Sequence, residues 1–337
     1  TGLFTSPHLV DFSERIRVNG DMITPDALAE EISFLKQLAE GWEQPPTFFE
    51  LALAVALRHF RKNSVNFIIL ETGLGGRLDA TNAVPKDIAV LAPIGLDHQQ
   101  YLGDTLEEIA AEKAAIIAPG KPSVTAVQHP GVMAVIERTA QNRRSPLTIA
   151  RADRKTPIPS LPGAHQRENA ALALETMRRL HSLPSPSEAA AVLAKVQWPG
   201  RFERLETPPL VLDGAHNEHA TRVLASTWKE EFPGRKAALV FAASADKHIR
   251  EMIPVLREIT GEWHLVPCTS PRIMPAEEMA ALLGEQETGP VFIHSSLLDG
   301  LQAALASPLP VLAAGSLFLL GDLKALLRHA EKRSTAQ

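Results

Sequence analysis

The stretch 71–82, which reads E-T-G-L-G-G-R-L-D-A-T-N, concentrates residues that could do chemistry. Its carboxylate, Glu71, directly follows the apolar run Val65–Leu70, which predicts a strand buried on both faces, as in parallel sheets. Open α/β sheets bind ligands at the carboxyl ends of such strands. Its glycines are Gly73, Gly75 and Gly76. Glycine permits positive φ and lets the backbone approach a bound group closely, although a turn that only connects two elements is the alternative.

Polar side chains also follow other apolar runs of the sequence. They are Ser6, Asp97, His98, Asp213, His216, Lys247 and Ser316. Because the carboxyl ends of parallel strands meet at one edge of a sheet, we expect these groups to collect in a cleft between two α/β domains. Oxygen ligands beside basic groups suit magnesium and phosphate chemistry, whereas His98 could bind manganese or hydrogen-bond a phosphate. Ser316 would lie at a helix N-terminus, where backbone N–H groups bind anions. For Ser6, a simple Ser-Pro turn is the alternative.

Several classes of protein are excluded or not indicated. The single cysteine, Cys268, rules out an intramolecular disulfide, and the cysteine and histidine spacings match no zinc site. No G-x-S-x-G elbow accompanies the Ser6/His8 pair. The net charge of −5 over 337 residues does not indicate a nucleic-acid partner. No apolar run reaches the ~20 residues that a membrane helix needs.

The order of strand and helix patterns predicts an α/β protein of two domains. From Leu205 onward, short apolar runs alternate with helical patterns, which predicts βαβ units and a parallel sheet. The predicted strands are Leu210–Leu212, Ala237–Phe241, Trp263–Pro267, Val291–His294 and Val311–Ala314. The sequence W-P-G-R-F-E predicts a joint, so we expect domains 1–197 and 205–337 with a hinge at 198–204.

Separated segments along nearly the whole chain resemble folylpolyglutamate synthase/dihydrofolate synthase, a family of the Mur ligase superfamily. The segments are T-S-P-H-L (Thr5–Leu9), E-T-G-L-G-G-R-L-D-A-T-N (Glu71–Asn82), G-L-D-H-x-x-x-L-G (Gly95–Gly103), E-K-A-x-I-I (Glu112–Ile117), G-A-H-Q-x-x-N-A (Gly163–Ala170), W-P-G-R-F-E (Trp198–Glu203), L-D-G-A-H-N (Leu212–Asn217), A-D-K (Ala245–Lys247) and A-G-S-L-F (Ala314–Phe318). Their order and spacing make the resemblance specific, and it favours a functional role for the glycine-rich stretch over a simple turn.

The resemblance implies an N-terminal Mur-ligase-type ATPase domain with a parallel sheet and a C-terminal Rossmann-like ligase domain. It implies that ATP phosphorylates a carboxylate of dihydropteroate or a folate, and that the amine of L-glutamate attacks the acyl phosphate. The implied cofactor is Mg²⁺, with Mn²⁺ or K⁺ as further candidates. It also implies a cytoplasmic monomer that acts on small molecules, with neither a nucleic acid nor a membrane as partner.

The resemblance also carries over site residues one by one. The metal positions match Ser6, Glu71 and His98. Lys113 matches a lysine that is carbamylated in the family, although a solvated helix lysine is the alternative from the sequence alone. The remaining catalytic, nucleotide and substrate positions match Asp79, Thr81, Asn82, Asn169, Arg201, Asp213, His216, Lys247 and Ser316. Among these, Asn169 matches an adenine contact and Arg201 a hinge residue that reaches phosphate.

The family's P-loop, a G-x-x-G-K-[ST] element, does not occur in these 337 residues, which begin at Thr1. We expect truncation to be the cause, the alternative being a homologue that does not hydrolyse ATP. Because that loop cradles the β- and γ-phosphates, we expect this chain alone to have little or no ATP turnover. A non-catalytic folate- or nucleotide-binding homologue and a Mur-type amino-acid ligase of cell-wall synthesis stay open as alternatives. The sequence does not decide between dihydropteroate and folylpolyglutamate specificity.

Overall fold

The protein was analysed as a computed structural model, which describes residues 1–286 and 289–334. The chain forms two compact units. The first unit contains Thr1–Leu91, Gln99–Ser123 and His129–Leu147, and the second contains Ala92–His98, Val124–Gln128 and the described residues from Thr148 onward. The hinge at 198–204 stays a prediction from the sequence.

The part of the chain up to Ile149 contains seven strands and five helices among the described residues. In chain order they are β1 (Gly2–Phe4), β2 (Ile16–Val18), β3 (Asp21–Met22), α1 (Pro25–Leu38), α2 (Phe48–Lys62), β4 (Ile68–Leu70), β5 (Ala89–Leu91), α3 (Gln99–Leu102), α4 (Leu106–Ala114), β6 (Ser123–Thr125), α5 (Pro130–Asn142) and β7 (Leu147–Ile149). Short 3-10 helices cover Phe12–Arg15 and Ala80–Ala83. One sheet has the order β3-β2-β1-β4, and a three-stranded sheet has the order β5-β6-β7.

The rest of the chain alternates strands and helices, as its sequence predicts. The elements are α6 (Ala164–Arg179), α7 (Pro186–Leu193), β8 (Glu203–Glu206), β9 (Pro209–Leu212), α8 (Glu218–Glu231), β10 (Ala237–Phe241), α9 (Ile249–Arg257), β11 (Thr260–Leu265), α10 (Ala276–Gly284), β12 (Val291–Ile293), α11 (Leu297–Leu305), β13 (Val311–Ala314) and α12 (Leu317–Ser334). Their six-stranded sheet has the order β12-β11-β10-β13-β9-β8. Every pairing in it is parallel except β8 with β9. The predicted parallel sheet is therefore confirmed, and the antiparallel edge strand β8 was not foreseen.

Local capping explains where the helices of the first unit begin. Thr24 caps α1 by accepting a hydrogen bond from the backbone of Ala27, with Pro25 in the first turn. Thr47 and Glu50 form a capping box at the start of α2, in which each side chain bonds the backbone of the other residue. The structure thereby assigns Glu50 to this helix cap.

The sequence-based prediction for the strand before Glu71 is wrong in its burial. Among the described residues, β4 lies at the edge of its sheet and pairs with β1 alone. Phe67, Ile68 and Ile69 are 48%, 46% and 56% exposed. An apolar run therefore predicted the strand correctly but not its burial, which depends on what packs against each face.

Each unit has its own apolar core. The first packs β1 and β2 against α1 and α2 around Phe4, Ile16 and Phe60, which are fully buried. The second packs helices on the six-stranded sheet around Trp228 and Trp263. None of the described helices combines the length and the apolar character that spanning a membrane would require.

Candidate functional site

In the first unit, the chain leaves two neighbouring parallel strands at Ser6 and Glu71. Phe4 at the end of β1 lies opposite Leu70 at the end of β4. The backbone N–H of Ser6 donates to Oε2 of Glu71 at 2.8 Å, and the backbone N–H of Glu71 donates to the carbonyl of Phe4 at 2.9 Å. The sheet register thus brings together two of the three residues predicted to bind metal.

The glycine-rich loop after Glu71 packs against α4, the helix that carries Lys113. A Cβ atom on Gly76 would lie 2.7 Å from the carbonyl oxygen of Glu112 and 2.9 Å from that of Lys113. Arg77 reinforces this contact, because its backbone N–H and its Nε both donate to Glu112. Only Gly75 among the loop glycines has a positive φ, of 67°. The glycines therefore serve close packing as well as backbone freedom.

Asp79 organises this loop from inside. Its Oδ2 accepts hydrogen bonds from the backbone N–H groups of Gly73 and Leu74 at 2.8 and 3.0 Å. Its Oδ1 accepts from the backbone and the hydroxyl of Thr81. Asp79 and Thr81 are both buried. Asn82 lies at the end of the loop and accepts a hydrogen bond from Lys86 at 2.5 Å.

A buried arginine adds to the first-unit site, and the sequence did not indicate it. Arg15 is 8% exposed and donates from Nε to Nδ1 of His8 at 2.8 Å. Its guanidinium lies over the rings of Phe12 and Phe48, 5.8 and 5.4 Å from their centroids. Burial, and then the charge of Arg15, lower the pKa of His8. A neutral imidazole accepting from Arg15 fits this contact.

In the second unit, Asp97 gathers polar side chains that are far apart in the sequence. Its Oδ1 accepts a hydrogen bond from Nζ of Lys247 at 2.5 Å, and its Oδ2 accepts from Nδ2 of Asn217 at 2.8 Å. Nε2 of His216 lies 3.5 Å from Oδ2. The backbone N–H of His98, whose φ is 53°, donates to Oδ1 at 2.8 Å. The structure thus brings His216 and Lys247 together through Asp97, which the sequence analysis counts among the strand-exit groups but which the resemblance does not carry over as a site residue.

The pKa values of Asp97 and Asp213 in this unit are shifted in opposite directions. Burial by itself raises the pKa of Asp97, but contacts from His216, Lys247 and Asn217 outweigh burial and hold that pKa far below the usual range. Burial raises the pKa of Asp213, and the N–H groups of Phe202 and Ala215 oppose this only in part. Asp97 is therefore an anion that binds cations, whereas Asp213 binds backbone N–H groups.

The loop that contains Arg201 is hydrogen-bonded to the end of β9. The backbone N–H of Gly214 donates to the carbonyl of Gly200 at 2.8 Å, and Phe202 donates to Asp213 at 2.9 Å. A Cβ atom on Gly214 would lie 3.2 Å from Nη1 of Arg201. This packing places Arg201 beside Asp213. The pKa of His165 is lowered mainly by burial and further by the positive charge of Arg201.

The two remaining predicted site residues lie near the beginnings of helices. Asn169 is in the second turn of α6 and donates from Nδ2 to Oε1 of Gln166 at 3.1 Å. Ser316 is buried directly before α12, where its hydroxyl accepts from the backbone N–H of Phe318 at 3.1 Å. Ser316 therefore caps the helix at the position where the sequence predicts anion binding.

The residues at the exits of β1 and β4 fit a hard divalent cation by their chemistry. Ser6 and Glu71 supply a hydroxyl and a carboxylate, the oxygen donors that Mg²⁺ prefers. In the part of the chain that the structure describes, no three His, Cys, Asp or Glu side chains gather into a metal-binding group. Magnesium commonly keeps waters and substrate phosphates in its coordination shell, so few protein ligands suffice.

The fold is that of a Mur-type ligase. Residues 200–319 match the family described as Mur ligase, glutamate ligase domain. An Escherichia coli FolC structure in complex with DHPP and ADP superposes with a TM-score of 0.87 at 28% identity and covers 98% of this chain and 82% of that one. A Yersinia pestis bifunctional folylpolyglutamate synthase/dihydrofolate synthase complexed with AMPPNP and Mn ion gives a TM-score of 0.83 at 29% identity over 97% of this chain and 82% of that one.

Curated relatives narrow this class to one family. The dihydrofolate synthase/folylpolyglutamate synthase of Bacillus subtilis is 34% identical over 97% of this chain and 84% of its own length. That of Escherichia coli is 32% identical over 84% of this chain and 70% of its own length. The chain belongs to the dihydrofolate synthase/folylpolyglutamate synthase family, whose members are ATP-dependent ligases.

Proposed function

We propose that this protein adds L-glutamate to dihydropteroate, to folyl-polyglutamates, or to both, through an acyl-phosphate intermediate formed with ATP. The observation that carries the proposal is similarity along nearly the whole chain to a dihydrofolate synthase/folylpolyglutamate synthase. The family also supports a monomer that works in the cytoplasm. The local geometry supports metal binding by the first unit and anion binding by the second.

The first unit is proposed to bind the metal and to orient the acceptor carboxylate. Ser6 and Glu71 would hold Mg²⁺ or Mn²⁺. His98 stays a further candidate metal ligand on the family resemblance alone. A bound divalent cation neutralises phosphate charge during phosphoryl transfer. Lys113 lies on α4, against which the glycine loop packs. Its carbamylation would turn an ammonium into a carboxylate, which reverses its charge toward the metal.

The loop 79–82 is proposed to border the acceptor. The Asp79 carboxylate is bonded within its own loop, so its first effect is to fix the loop's shape. A rigid loop positions a substrate carboxylate for attack on the γ-phosphorus, and positioning supplies much of the acceleration in such a step. Thr81 and Asn82 belong to the same structure.

The second unit is proposed to bind nucleotide and glutamate. Asn169 would contact adenine, and Arg201 would donate to phosphate oxygens while Asp213 fixes its loop. His216, Lys247 and Ser316 would bind the incoming glutamate carboxylates or the phosphate. These are donors, as an anion requires, and cationic donors bond anions more strongly than neutral ones.

Coupled release of ADP and phosphate tests the proposal, measured on a chain extended to include the P-loop, because the 337 residues alone are expected to turn over little ATP. Turnover should require ATP, glutamate and a pterin acceptor together, and mass spectrometry should find the acceptor extended by one glutamate. UDP-muramyl precursors in place of the pterin acceptor should give no product. Turnover with those precursors alone, or none with any folate form, would contradict the proposal.

A further inference from the structure

The carboxylate of Asp97 contacts four polar groups of the second unit. Both of its carboxylate oxygens are engaged, Oδ1 by Lys247 and the backbone of His98, and Oδ2 by Asn217 and His216. The donors come from three segments that are widely separated in the sequence. A carboxylate used in this way fixes the relative positions of its donors.

Asn217 fixes the carboxylate from one side. Its Oδ1 accepts a hydrogen bond from the backbone of Ala220 at 2.8 Å and so caps α8. With Oδ1 committed to the helix, Nδ2 of the same amide is directed to Asp97. The orientation of the Asp97 carboxylate is thereby tied to the start of a fourteen-residue helix.

The other oxygen of the Asp97 carboxylate, Oδ1, holds the ammonium group of Lys247. Its side chain is 9% exposed, although lysine normally extends into water. Within the described residues, Asp97 is the only acceptor to which its ammonium donates. An ammonium has three N–H donors, so two are left to be directed elsewhere. Without the carboxylate, the flexible lysine stem would lose its single anchor.

We propose that Asp97 is a positioning residue, which acts through Lys247 by aiming its ammonium at an incoming carboxylate or phosphate. The inference rests on the anion-binding role assigned to Lys247 in the proposed function. Asp97 itself need not touch a substrate, because both of its oxygens are already engaged. The Asn217–Asp97–Lys247 series thus connects a helix terminus to a substrate-binding cation.

The first test measures whether Asp97 holds Lys247, and it requires no turnover. The native chain and Asp97→Asn are treated briefly with an amine-acylating reagent, and modification of Lys247 is quantified by mass spectrometry. An amide oxygen accepts a weaker bond than a carboxylate, so Lys247 should be acylated at least about 5-fold faster in the variant. Equal rates would overturn the proposal.

Two further variants complete this test. Asp246→Asn is the matched control, because Asp246 adjoins Lys247 but pairs with Arg272 at 3.2 Å, and it should leave the acylation rate of Lys247 unchanged. Asn217→Ser keeps a helix-capping residue but removes the amide donor to Asp97, and it should accelerate acylation by about 2-fold or more. If Asp97→Asn does not fold, the acylation rate of Lys247 in Asn217→Ser decides whether Asp97 holds Lys247.

The second test is a double-mutant cycle on kcat/KM for glutamate. Asp97→Asn should lower it at least about 10-fold in the native background but less than about 2-fold in a Lys247→Met background. Such a result means that Asp97 acts through Lys247, whereas equal losses in both backgrounds would overturn the inference. These kcat/KM values are measured on a chain extended to include the P-loop, and absence of turnover in that protein would contradict the proposed function instead, whereas the acylation rates would still decide whether Asp97 positions Lys247.

Discussion

The backbone N–H of Ser6 donates to Oε2 of Glu71 at 2.8 Å, which joins two strand exits that are 65 positions apart in the sequence. The contact exists because β1 and β4 are parallel neighbours whose carboxyl ends lie at the same edge of the sheet. It brings Ser6, which carries a hydroxyl, next to the carboxylate of Glu71, and oxygen donors of both kinds suit Mg²⁺. The metal-binding proposal for the first unit depends on this pair.

Replacing Glu71 by glutamine should remove metal-dependent turnover while the fold persists. The amide can still accept from Ser6, but it lacks the negative charge that attracts a divalent cation. In a chain extended to include the P-loop, we expect kcat/KM to fall by at least about 100-fold, since charge neutralisation carries much of phosphoryl transfer. Isothermal titration with Mn²⁺ in the presence of nucleotide should show the matching loss of affinity.

The control for this experiment is Glu43→Gln, which removes an exposed carboxylate from the same unit. It should leave both turnover and metal affinity unchanged. Full activity in the Glu71 variant, with circular dichroism like that of the native chain, would contradict the metal-binding role.

Gly76→Ala should destabilise the first unit. The added methyl group would meet the carbonyl oxygens of Glu112 and Lys113 at 2.7 and 2.9 Å, and backbone atoms of a helix cannot move aside easily. We expect a loss of about 1–3 kcal/mol in the free energy of unfolding, measured by denaturant titration. Gly284→Ala is the matched control, because no atom lies within 4 Å of its added methyl and it ends a helix. An equal loss in both variants would show that the packing of the loop on α4 is not the cause.

Asn169→Ala should weaken nucleotide binding. If Asn169 contacts adenine, loss of its amide should raise the Kd for ADP by about 10-fold, as expected when a hydrogen-bonding partner is removed from a base. Gln302→Ala, which removes an exposed amide from α11, should not change it. Isothermal titration calorimetry measures both, and unchanged affinity in the Asn169 variant would remove this residue from the nucleotide site.

Glu31 should contribute a pH-dependent part of the stability of the first unit. Its buried carboxylate lies 2.5 Å from both Arg58 and Lys62. Burial alone raises its pKa, but contacts with Lys62 and Arg58 outweigh burial and hold the pKa below the ordinary value of 4.5. A carboxyl whose folded pKa is depressed contributes stability above its unfolded pKa and loses it as the pH falls through the folded pKa.

The comparison of the native chain with Glu31→Gln tests this contribution. At about pH 7 the variant should be less stable by about 1–2 kcal/mol, a figure reduced because both cations are partly exposed. The difference should shrink as the pH falls below the ordinary value of 4.5 and through the depressed pKa of the folded state, because a protonated glutamate resembles glutamine. Thermal unfolding across this pH range measures it, and a constant difference would contradict the assignment.

Much of the second unit was predictable from the sequence, because its elements depend on local patterns. The observed bounds of β10 and β13 agree with the runs that predict them. A buried parallel strand is apolar along its whole length. A helix N-cap such as Asn217 has one of the few residue types that are preferred at that position. The antiparallel strand β8 was missed because its alternating charged residues, E-R-L-E, do not form such a run.

The first unit was predicted less well, because local patterns do not report what packs beside an element. The run before Glu71 predicts burial on both faces, yet Ile68 and Ile69 are about half exposed in an edge strand. The stretch 71–82 suggests glycines that open space for a ligand, yet Gly76 mainly admits the backbone of α4. Nothing in the sequence indicates that Arg15 is buried against His8.

The sequence by itself determined the family, the kinds of secondary structure and which residue types stand at the ends of strands, since these depend on the order of residues along the chain. Which of those residues meet depends on the packing of the elements in space. Asp97 and Lys247 are 150 positions apart, and Asp97 and Asn217 are 120 apart. A hydrogen bond requires its atoms to approach within about 3 Å, and that distance follows from how the elements pack rather than from spacing along the chain.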